Sequence, residues 1–433
     1  MEKYILIYEE IKNKINDGTY KSYQKLKSKR QLSQDYGVSI NTIMNSLNLL
    51  LDEGYIYSIE KKGYFVSNQL TLDIKPKNQI IEHPIKIKYK YDFTTSNIND
   101  FNDNNYKKII RNLINENEYI EKSDFLGNIK LRGAISSHLK INRGIDVDPN
   151  LIIIGYGLES LRNILRIIDI DNITLENPGY HKLKNMALNL NLNVNYIDID
   201  EFGTKIPSNK TIIYTTPFNQ FPLGIKMTMP RKKEFSEFLN KTQSYLIEDD
   251  FDAEFRIKEA NKTPIFSLSD RVIFFSTFSM TMYPGLRISY FILPKELRDK
   301  YILHYSGYSS SISNLDQLAL AEYIRMGYYA SHINKLKKKY LNKRLLIMEI
   351  LDKYNISYDD KKNYLSILIK TNVKNIDLLI DNLKKRDLII SSIKDYDEKN
   401  LENDTLILGY TSINDNDIKD GLDILISEIN NIK

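Results

Sequence analysis

The sequence predicts an α/β protein in two parts: a small N-terminal unit of helices and one β-hairpin, and a large body around a mixed, mostly parallel sheet. Three observations predict this organisation. The chain has 433 residues, which is too long for one hydrophobic core, since single cores stop growing at roughly 250–300 residues. Its first seventy residues contain amphipathic, capped helix patterns. Farther on, short β-rich runs alternate with helical stretches, as they do in βα units.

The composition excludes several kinds of site. The chain has no cysteine, so it holds no disulfide and no thiolate-bound metal. Its five histidines are scattered along the sequence, so we expect no metal site. No apolar run reaches the roughly 18–20 residues that a membrane span needs, and the first residues do not resemble a signal peptide. We therefore expect a cytoplasmic protein that binds neither metal nor membrane.

Three capped helices are predicted within residues 1–68. The first ends near Gly18, and the second begins with a capping box of Ser28 and Gln31, in which each side chain bonds the other residue's backbone N–H. The second helix ends at Gly37, and Ser39 caps the third after a short turn. The residues expected to face inward are Ile7, Ile11, Ile15, Ile43, Leu47 and Leu50. The second and third helices form a helix-turn-helix, whose second member usually enters the DNA major groove.

A hairpin and a basic run complete a winged helix. Residues 55–59 and 64–66 are β-rich, and the turn at 60–63 joins them as the wing. Residues 20–32 contain five basic residues and no acidic one. We expect phosphate contacts from this run and the wing tip, and base contacts from the start of the third helix. The expected DNA-binding residues are Lys27, Lys29, Arg30, Ser39, Asn41, Thr42, Asn45, Lys61, Lys62 and Gly63.

These N-terminal residues resemble the winged helix of GntR regulators. In that family the arginine after the capping serine and the polar start of the recognition helix contact operator DNA. The matching residues here are Arg30, Ser39, Asn41, Thr42 and, at the wing tip, Gly63. The resemblance implies a double-stranded DNA operator as partner. A three-helix protein-interaction module is the alternative interpretation.

The body is predicted to follow a polar, proline-containing linker at residues 69–90. Six apolar β-rich runs then recur at intervals typical of βα units. They are residues 151–154, 172–175, 194–197, 211–214, 244–247 and 272–275. This spacing predicts a mixed, mostly parallel sheet in a large body at residues 91–433. A smaller C-terminal α+β lobe is expected at about 320–433 and includes the β-like run 365–369.

Five motifs along the body resemble MocR regulators, the GntR subfamily related to fold-type-I aminotransferases, which use pyridoxal phosphate (PLP). In order they are Leu131-Arg132-Gly133, Glu176-Asn177-Pro178-Gly179-Tyr180, Thr216-Pro217-Phe218-Asn219-Gln220, Glu248-Asp249-Asp250-Phe251-Asp252 and Pro284-Gly285-Leu286-Arg287. The resemblance implies a PLP-dependent-transferase-like fold. It also implies a homodimer whose body senses a small-molecule effector, of unknown identity.

Met280 occupies the position of the PLP lysine in this resemblance. In the family the lysine lies in a Ser-Lys-Thr segment seven residues before the arginine of Pro-Gly-Leu-Arg. Here the segment reads Ser279-Met280-Thr281, seven residues before Arg287, and no lysine lies between Lys262 and Lys295. A thioether cannot form a Schiff base. We therefore expect no catalytic residue, no covalent cofactor and no enzyme activity.

The rest of the family's ligand site is retained in part. Asp249 matches the carboxylate that pairs with the ring nitrogen, and Arg287 matches a phosphate-binding arginine. Glu159 would repel a phosphate, Phe251 replaces a tyrosine, and Ile407 stands where many members have a carboxylate-binding arginine. The expected ligand-binding residues are Ser160, Tyr180, Lys182, Asn219, Asp249, Phe251, Ser279 and Arg287.

Three functional hypotheses follow. The favoured one, because of Met280, is a DNA-binding regulator whose body dimerises and senses a ligand without covalent PLP. The second is a regulator that binds PLP non-covalently through Asp249, Arg287 and Ser279. The third is an active PLP-dependent aminotransferase with an attached DNA-binding domain. Each of the two charged residues also has a structural alternative. If Asp249 pairs with Arg256, or if Arg287 forms a structural ion pair, that residue has a purely structural role.

Overall fold

The computed structural model describes residues 3–68, 88–94, 101–255, 263–359, 365–399 and 404–432. The chain divides into two units, Met1–Lys86 and Ile87–Lys433. The boundary falls inside the predicted linker, most of which lies outside the described residues. Within the described residues, no helix is long and apolar enough to cross a membrane.

The N-terminal unit is the predicted winged helix. Its elements are α1 (Lys3–Asn16), α2 (Lys29–Tyr36), α3 (Ile40–Asp52), β1 (Ile56–Ile59) and β2 (Gly63–Val66). The capping box at Ser28 is present, Gly37 has a φ of 60° that ends α2, and the Ser39 hydroxyl accepts the Thr42 N–H. The predicted inward residues are all buried in one hydrophobic cluster. Local caps thus fix the helix ends, and burial of the apolar stripes holds the helices together.

The basic run is attached to the wing by backbone hydrogen bonds, which the sequence pattern did not predict. Tyr23 N–H donates to Val66 O, and Leu26 N–H donates to Tyr64 O, each at 2.9 Å. Val66 N–H in turn donates to Gln24 O. The segment before α2 therefore lies along β2 and pairs with it through the backbone.

The large sheet of the body is mixed and mostly parallel, as predicted. Its strands are β4 (Ile152–Gly155), β5 (Asn172–Asn177), β6 (Asn193–Asp200), β7 (Gly203–Thr204), β8 (Ile212–Thr215), β9 (Tyr245–Asp249), β10 (Val272–Thr277) and β11 (Ser289–Ile292). Their order is β4-β11-β10-β9-β8-β5-β6-β7, with parallel pairing from β10 through β6. The β11 strand, antiparallel to both neighbours, was not predicted.

Helices cover both faces of this sheet. The body helices are α4 (Asn104–Glu116), α5 (Ile129–Arg143), α6 (Leu158–Leu165), α7 (Lys182–Asn189), α8 (Met229–Thr242), α9 (Lys295–Tyr305), α10 (Asn314–Arg325), α11 (Tyr328–Lys353), α12 (Ile376–Lys385) and α13 (Asp415–Ile432). Successive strand residues alternate between two cores: Ile152 and Ile154 pack with α5 and α10, whereas Ile153 packs with α6. Burial on both faces explains why these strands read as continuous apolar runs.

The C-terminal region contains short strands that form a separate sheet. The remaining strands are β3 (Tyr91–Asp92), β12 (Ser357–Asp359), β13 (Ser366–Lys370), β14 (Leu388–Ile389), β15 (Ser391–Ser392) and β16 (Thr405–Gly409). Four of them form an antiparallel sheet in the order β12-β13-β16-β15. The predicted start of the small lobe near residue 320 falls inside α10, which packs against α4 and α5. β3 pairs in parallel with β14, and Phe93 N–H donates to Ile389 O at 2.8 Å. The first residues after the linker thus join the C-terminal region, which the sequence did not predict.

Candidate functional site

Four of the predicted ligand-binding residues lie at the carboxyl ends of adjacent parallel strands. Tyr180 follows β5, Asn219 follows β8, Asp249 ends β9 and Ser279 follows β10. Open α/β sheets bind ligands at this edge, because the chain turns away there and leaves backbone and side-chain groups exposed. The topology therefore brings together residues that are up to about a hundred positions apart in the sequence.

Asp249 is 7% exposed and has one oxygen in use. The Tyr214 hydroxyl, on the neighbouring strand β8, donates to Oδ2. Oδ1 is buried and has no hydrogen-bond partner of normal geometry among the described residues. Burial raises the pKa of Asp249 to about 7, the Tyr214 hydroxyl and the nearby Phe251 backbone N–H lower it, and the nearby charge of Asp252 raises it further. The alternative partner Arg256 lies outside the described residues.

Asp249 belongs to a run of acidic residues. Each of their side chains forms a hydrogen bond or an ion pair with a residue from another element. Glu248 accepts the backbone N–H groups of Ile265 and Phe266. The further carboxylate–partner contacts are Asp250 with Arg143 (2.5 Å), Asp252 with the Asn219 amide, and Glu254 with His138 (2.8 Å). Burial raises the pKa of Asp252 to about 6. Burial would also raise the pKa of Glu254, but the His138 ring lowers it below its ordinary value.

Arg287 forms an ion pair with Glu159. Its Nη2 lies 3.1 Å from Oε1 and 3.3 Å from Oε2, and both side chains are more than half exposed. Arg287 has a left-handed backbone with a φ of 54°, directly after the Pro284–Leu286 turn. Glu159 lies in the first turn of α6, whose N-terminal cap is Gly157. The predicted phosphate-binding arginine is therefore next to a carboxylate.

Tyr180 lies near enough to Asp249 and to this ion pair for their charges to act on its hydroxyl. Burial raises the pKa of its half-buried hydroxyl, as do the charges of Asp249 and Glu159, whereas the Arg287 charge lowers that pKa. The hydroxyl thus senses all three side chains. We call Glu159, Tyr180, Asp249 and Arg287 the strand-end cluster. Lys182 lies at the start of α7, exposed, with its ammonium 5.9 Å from the centre of the Tyr180 ring.

Other predicted site residues have mainly local contacts. The Ser160 hydroxyl accepts the Tyr156 N–H at 2.8 Å, and Ser279 N–H donates to the Thr277 hydroxyl at 3.1 Å. Phe251 and Met280 are half-buried and pack against the main core of the body. Ile407 is buried in β16, opposite Leu368 of β13.

These groups fit PLP poorly. A PLP site needs an amine for the Schiff base, a carboxylate for the ring nitrogen, and free donors for the phosphate. Asp249 Oδ1 suits the ring nitrogen. The cation that would meet the phosphate is Arg287, and Glu159 already neutralises it. The segment between Lys262 and Lys295 supplies no amine.

The predicted DNA-binding residues lie mostly on the surface of the N-terminal unit. Arg30, Asn41 and Asn45 are exposed, as are Lys61 and Lys62 at the wing turn. Lys27 pairs with Asp35 at 2.7 Å, and the Lys29 ammonium lies 5.3 Å from the centre of the Tyr64 ring. The Ser39 and Thr42 hydroxyls lie 2.8 Å apart in the helix cap, while Gly63 opens β2 with a φ of 111°. The exposed side chains at the start of α3 are free to reach a groove.

Three residues that shape the body site were not predicted. Tyr214 bonds Asp249, Arg143 pairs with Asp250, and the Ser289 hydroxyl accepts the Gly157 N–H at 2.6 Å. Tyr214 ends an otherwise apolar strand run, which is the one signal that marked it. Arg143 and Ser289 had no local signal, because their partners are more than a hundred residues away.

Comparisons with known proteins identify relatives along nearly the whole chain. Residues 3–66 match the family described as bacterial regulatory proteins, gntR family. The HTH-type transcriptional regulator YdeL of Bacillus subtilis is 29% identical over 97% of this chain and 95% of its own length. The HTH-type transcriptional regulator YhdI of the same organism is 31% identical over 80% of this chain and 78% of its own length. The probable rhizopine catabolism regulatory protein MocR of Rhizobium meliloti is 26% identical over 79% of this chain and 76% of its length.

Solved structures that resemble the body are aminotransferases. An archaeal alanine:glyoxylate aminotransferase superposes with a TM-score of 0.71 at 18% identity, covering 80% of this chain and 92% of the enzyme. The kynurenine aminotransferase of Pyrococcus horikoshii gives a TM-score of 0.68 at 20% identity, covering 80% of this chain and 92% of the enzyme. At these identities the likeness shows the fold of the body.

The buried Asp249 predicts a pH dependence of stability. Its folded pKa of about 7 lies above the unfolded value of about 3.9, so the folded state binds more protons between these values. Stability should therefore fall as the pH rises from about 4 to about 7, by on the order of a few kcal/mol. Asp249→Asn should remove this contribution, so that its stability rises relative to wild type across that range. Thermal unfolding of both proteins at several pH values measures it.

The exposed Asp146 provides a control for this measurement. Asp146→Asn should follow the wild-type pH profile. A difference between wild type and Asp249→Asn that stays constant from about pH 4 to about pH 7 would contradict the raised pKa.

Proposed function

The chain belongs to the GntR-type family of helix-turn-helix transcriptional regulators, and from this premise we propose that its body senses a small molecule without covalent PLP. As a family member it is a DNA-binding regulator whose second domain has the aminotransferase fold. A fold alone does not define a function, so the proposal depends on the residues of the strand-end cluster.

The single observation that carries the proposal is Met280 at the position expected for the lysine. The flanking Ser279, Thr281 and Arg287 support this register, because they keep the family's residue types and spacing. A thioether has no amine to attack an aldehyde, and the lysine is also the proton carrier in transamination. Absence of this lysine argues against the hypothesis of an active aminotransferase.

Non-covalent binding of PLP is the second candidate. Asp249 favours it, because the unused Oδ1 could accept an N–H from the ring. The ion pair of Arg287 with Glu159 argues against it, since the phosphate would approach a carboxylate. Both candidates agree that no covalent bond forms.

A homodimer is proposed as the form that binds DNA. One small winged helix rarely gives enough affinity alone, and two-fold proteins match two-fold operators. The body also carries large apolar side chains that are two-thirds or more exposed, the kind that association buries. They are Ile120, Ile141, Leu303 and Tyr308.

Removal of Arg30 should weaken DNA binding. If Arg30 contacts a base, Arg30→Ala should cost about 1–3 kcal/mol, or roughly 5- to 150-fold in affinity. Lys27→Ala should mainly reduce the slope of log affinity against log salt, by about one, because a phosphate contact releases counterions. The measurement is binding to a duplex that the wild-type protein selects from a random pool, at two salt concentrations.

Lys241→Ala, at an exposed lysine of the body, is the matched charge control and should leave both quantities unchanged. An Arg30→Ala/Asn41→Ala double variant that binds this duplex as tightly as wild type would contradict the assignment of the interface.

The full chain should be a dimer in solution. Light scattering at micromolar concentration should give twice the mass of one chain. The exposed apolar side chains offer a check, because Ile141→Glu should shift the mass toward one chain if that residue lies in the interface. A wild-type mass of one chain would count against the proposed form.

Wild-type protein should form no covalent adduct with PLP in the body site. After incubation with PLP and reduction with borohydride, peptide mass spectrometry should find no modification on a lysine of the site, such as Lys182. Met280→Lys restores an amine at this position and should become modified there by PLP or pyridoxal. Met326→Lys, at an exposed methionine elsewhere in the body, is the control for a new surface amine. A reduced adduct on Lys182 of the wild-type protein would overturn the proposal.

A further inference from the structure

The charged residues of the strand-end cluster limit which anions can approach. Glu159 and Arg287 are both more than half exposed, so their ion pair is weak by itself. Glu159 nevertheless lies in the first turn of α6, where its carboxylate contacts the Arg287 guanidinium at 3.1 Å. A phosphate at Arg287 would therefore face a like charge at short range.

Two donors near Arg287 are also engaged within the protein. The Gly157 N–H donates to the Ser289 hydroxyl at 2.6 Å, and that hydroxyl donates to Gly155 O at 2.7 Å. These bonds commit the Gly157 amide and the Ser289 hydroxyl hydrogen to the fold. A bound anion would have to displace them.

Asp249 presents the opposite situation, an acceptor without a donor. Its carboxyl group is more than nine-tenths buried, and Oδ1 has no hydrogen-bond partner among the described residues. A buried acceptor that makes no bond bears the cost of its lost hydration. An N–H group from a ligand would satisfy it.

The charges around Tyr180 nearly balance. Its hydroxyl is influenced by two carboxyl groups, Asp249 and Glu159, and one guanidinium, Arg287, and the Lys182 ammonium lies 5.9 Å from the centre of its ring. A balanced set of charges favours a neutral ligand over a phosphate dianion. The half-buried ring of Tyr180 suits a flat ligand.

We propose that the strand-end cluster binds a small, flat ligand that donates an N–H to Asp249 Oδ1 and carries no phosphate group. This inference rests on the proposed function, in which the body senses a ligand without a covalent bond. It adds the chemical class of that ligand. Glu159 selects against the phosphate, and Asp249 selects for the N–H donor.

The test compares pyridoxine with pyridoxine 5′-phosphate by calorimetry on the full chain. The two probes differ only by the phosphate, and neither has an aldehyde, so no Schiff base can form. Wild-type protein should bind pyridoxine at least roughly tenfold more tightly than its phosphate. Asp249→Asn should lose most of the affinity for pyridoxine.

Glu159→Gln is the diagnostic variant. Because Glu159 is exposed, the variant should fold with an unchanged melting temperature. It should reduce the preference for pyridoxine over its phosphate by roughly tenfold or more, since Arg287 becomes free to meet the phosphate. Glu237→Gln, at an exposed carboxylate of α8, should keep the wild-type preference.

Tighter binding of the phosphate by wild type, an unchanged preference in Glu159→Gln, or no binding of either probe at millimolar concentration would overturn this inference. Those outcomes leave the proposed function intact as long as wild-type protein forms no reduced adduct with PLP. A covalent adduct on a lysine of the site would instead overturn the proposed function itself.

Discussion

The body depends on the burial of a run of carboxyl groups at the end of β9. Glu248, Asp249, Asp250, Asp252 and Glu254 all lie within seven residues, and each meets a partner from a different part of the chain. Buried carboxylates are costly unless such partners are present. The run therefore requires α5, β8 and the loop after β8 to lie where they supply these partners. The same packing places Asp249 at the ligand-facing edge, where its Oδ1 has no hydrogen-bond partner among the described residues.

Local signals were sufficient for the N-terminal unit. The capping residues Ser28 and Ser39 and the cap glycine Gly37 act on neighbouring backbone groups, so their effect is visible in the sequence. The six apolar runs likewise indicated the central strands. Two short pairings could not be predicted from the sequence, namely those of residues 23–26 with β2 and of β3 with β14. The segments that they join are too short to show a clear strand pattern.

The candidate site likewise contains residues that the sequence predicted and partners that it did not. Motif spacing predicted Tyr180, Asn219 and Asp249, which follow consecutive parallel strands and meet for that reason. The partners that determine their chemistry come from elsewhere, as Tyr214 and Arg143 do. Spacing also indicated Arg287 and Glu159 separately, with opposite preferences for a phosphate, but not the ion pair between them. Pairing depends on the turn after Pro284 and the first turn of α6 facing each other, which only the fold reveals.

The pairing of β3 with β14 has a mechanical consequence. Tyr91 N–H donates to Asp387 O, Phe93 N–H donates to Ile389 O, and a Cβ on Gly421 of α13 would lie only 2.8 Å from the Phe93 ring. The beginning of the body is therefore fastened to its C-terminal region, almost three hundred residues along the chain. Any rotation of that region therefore carries the start of the body, residues 91–93, with it.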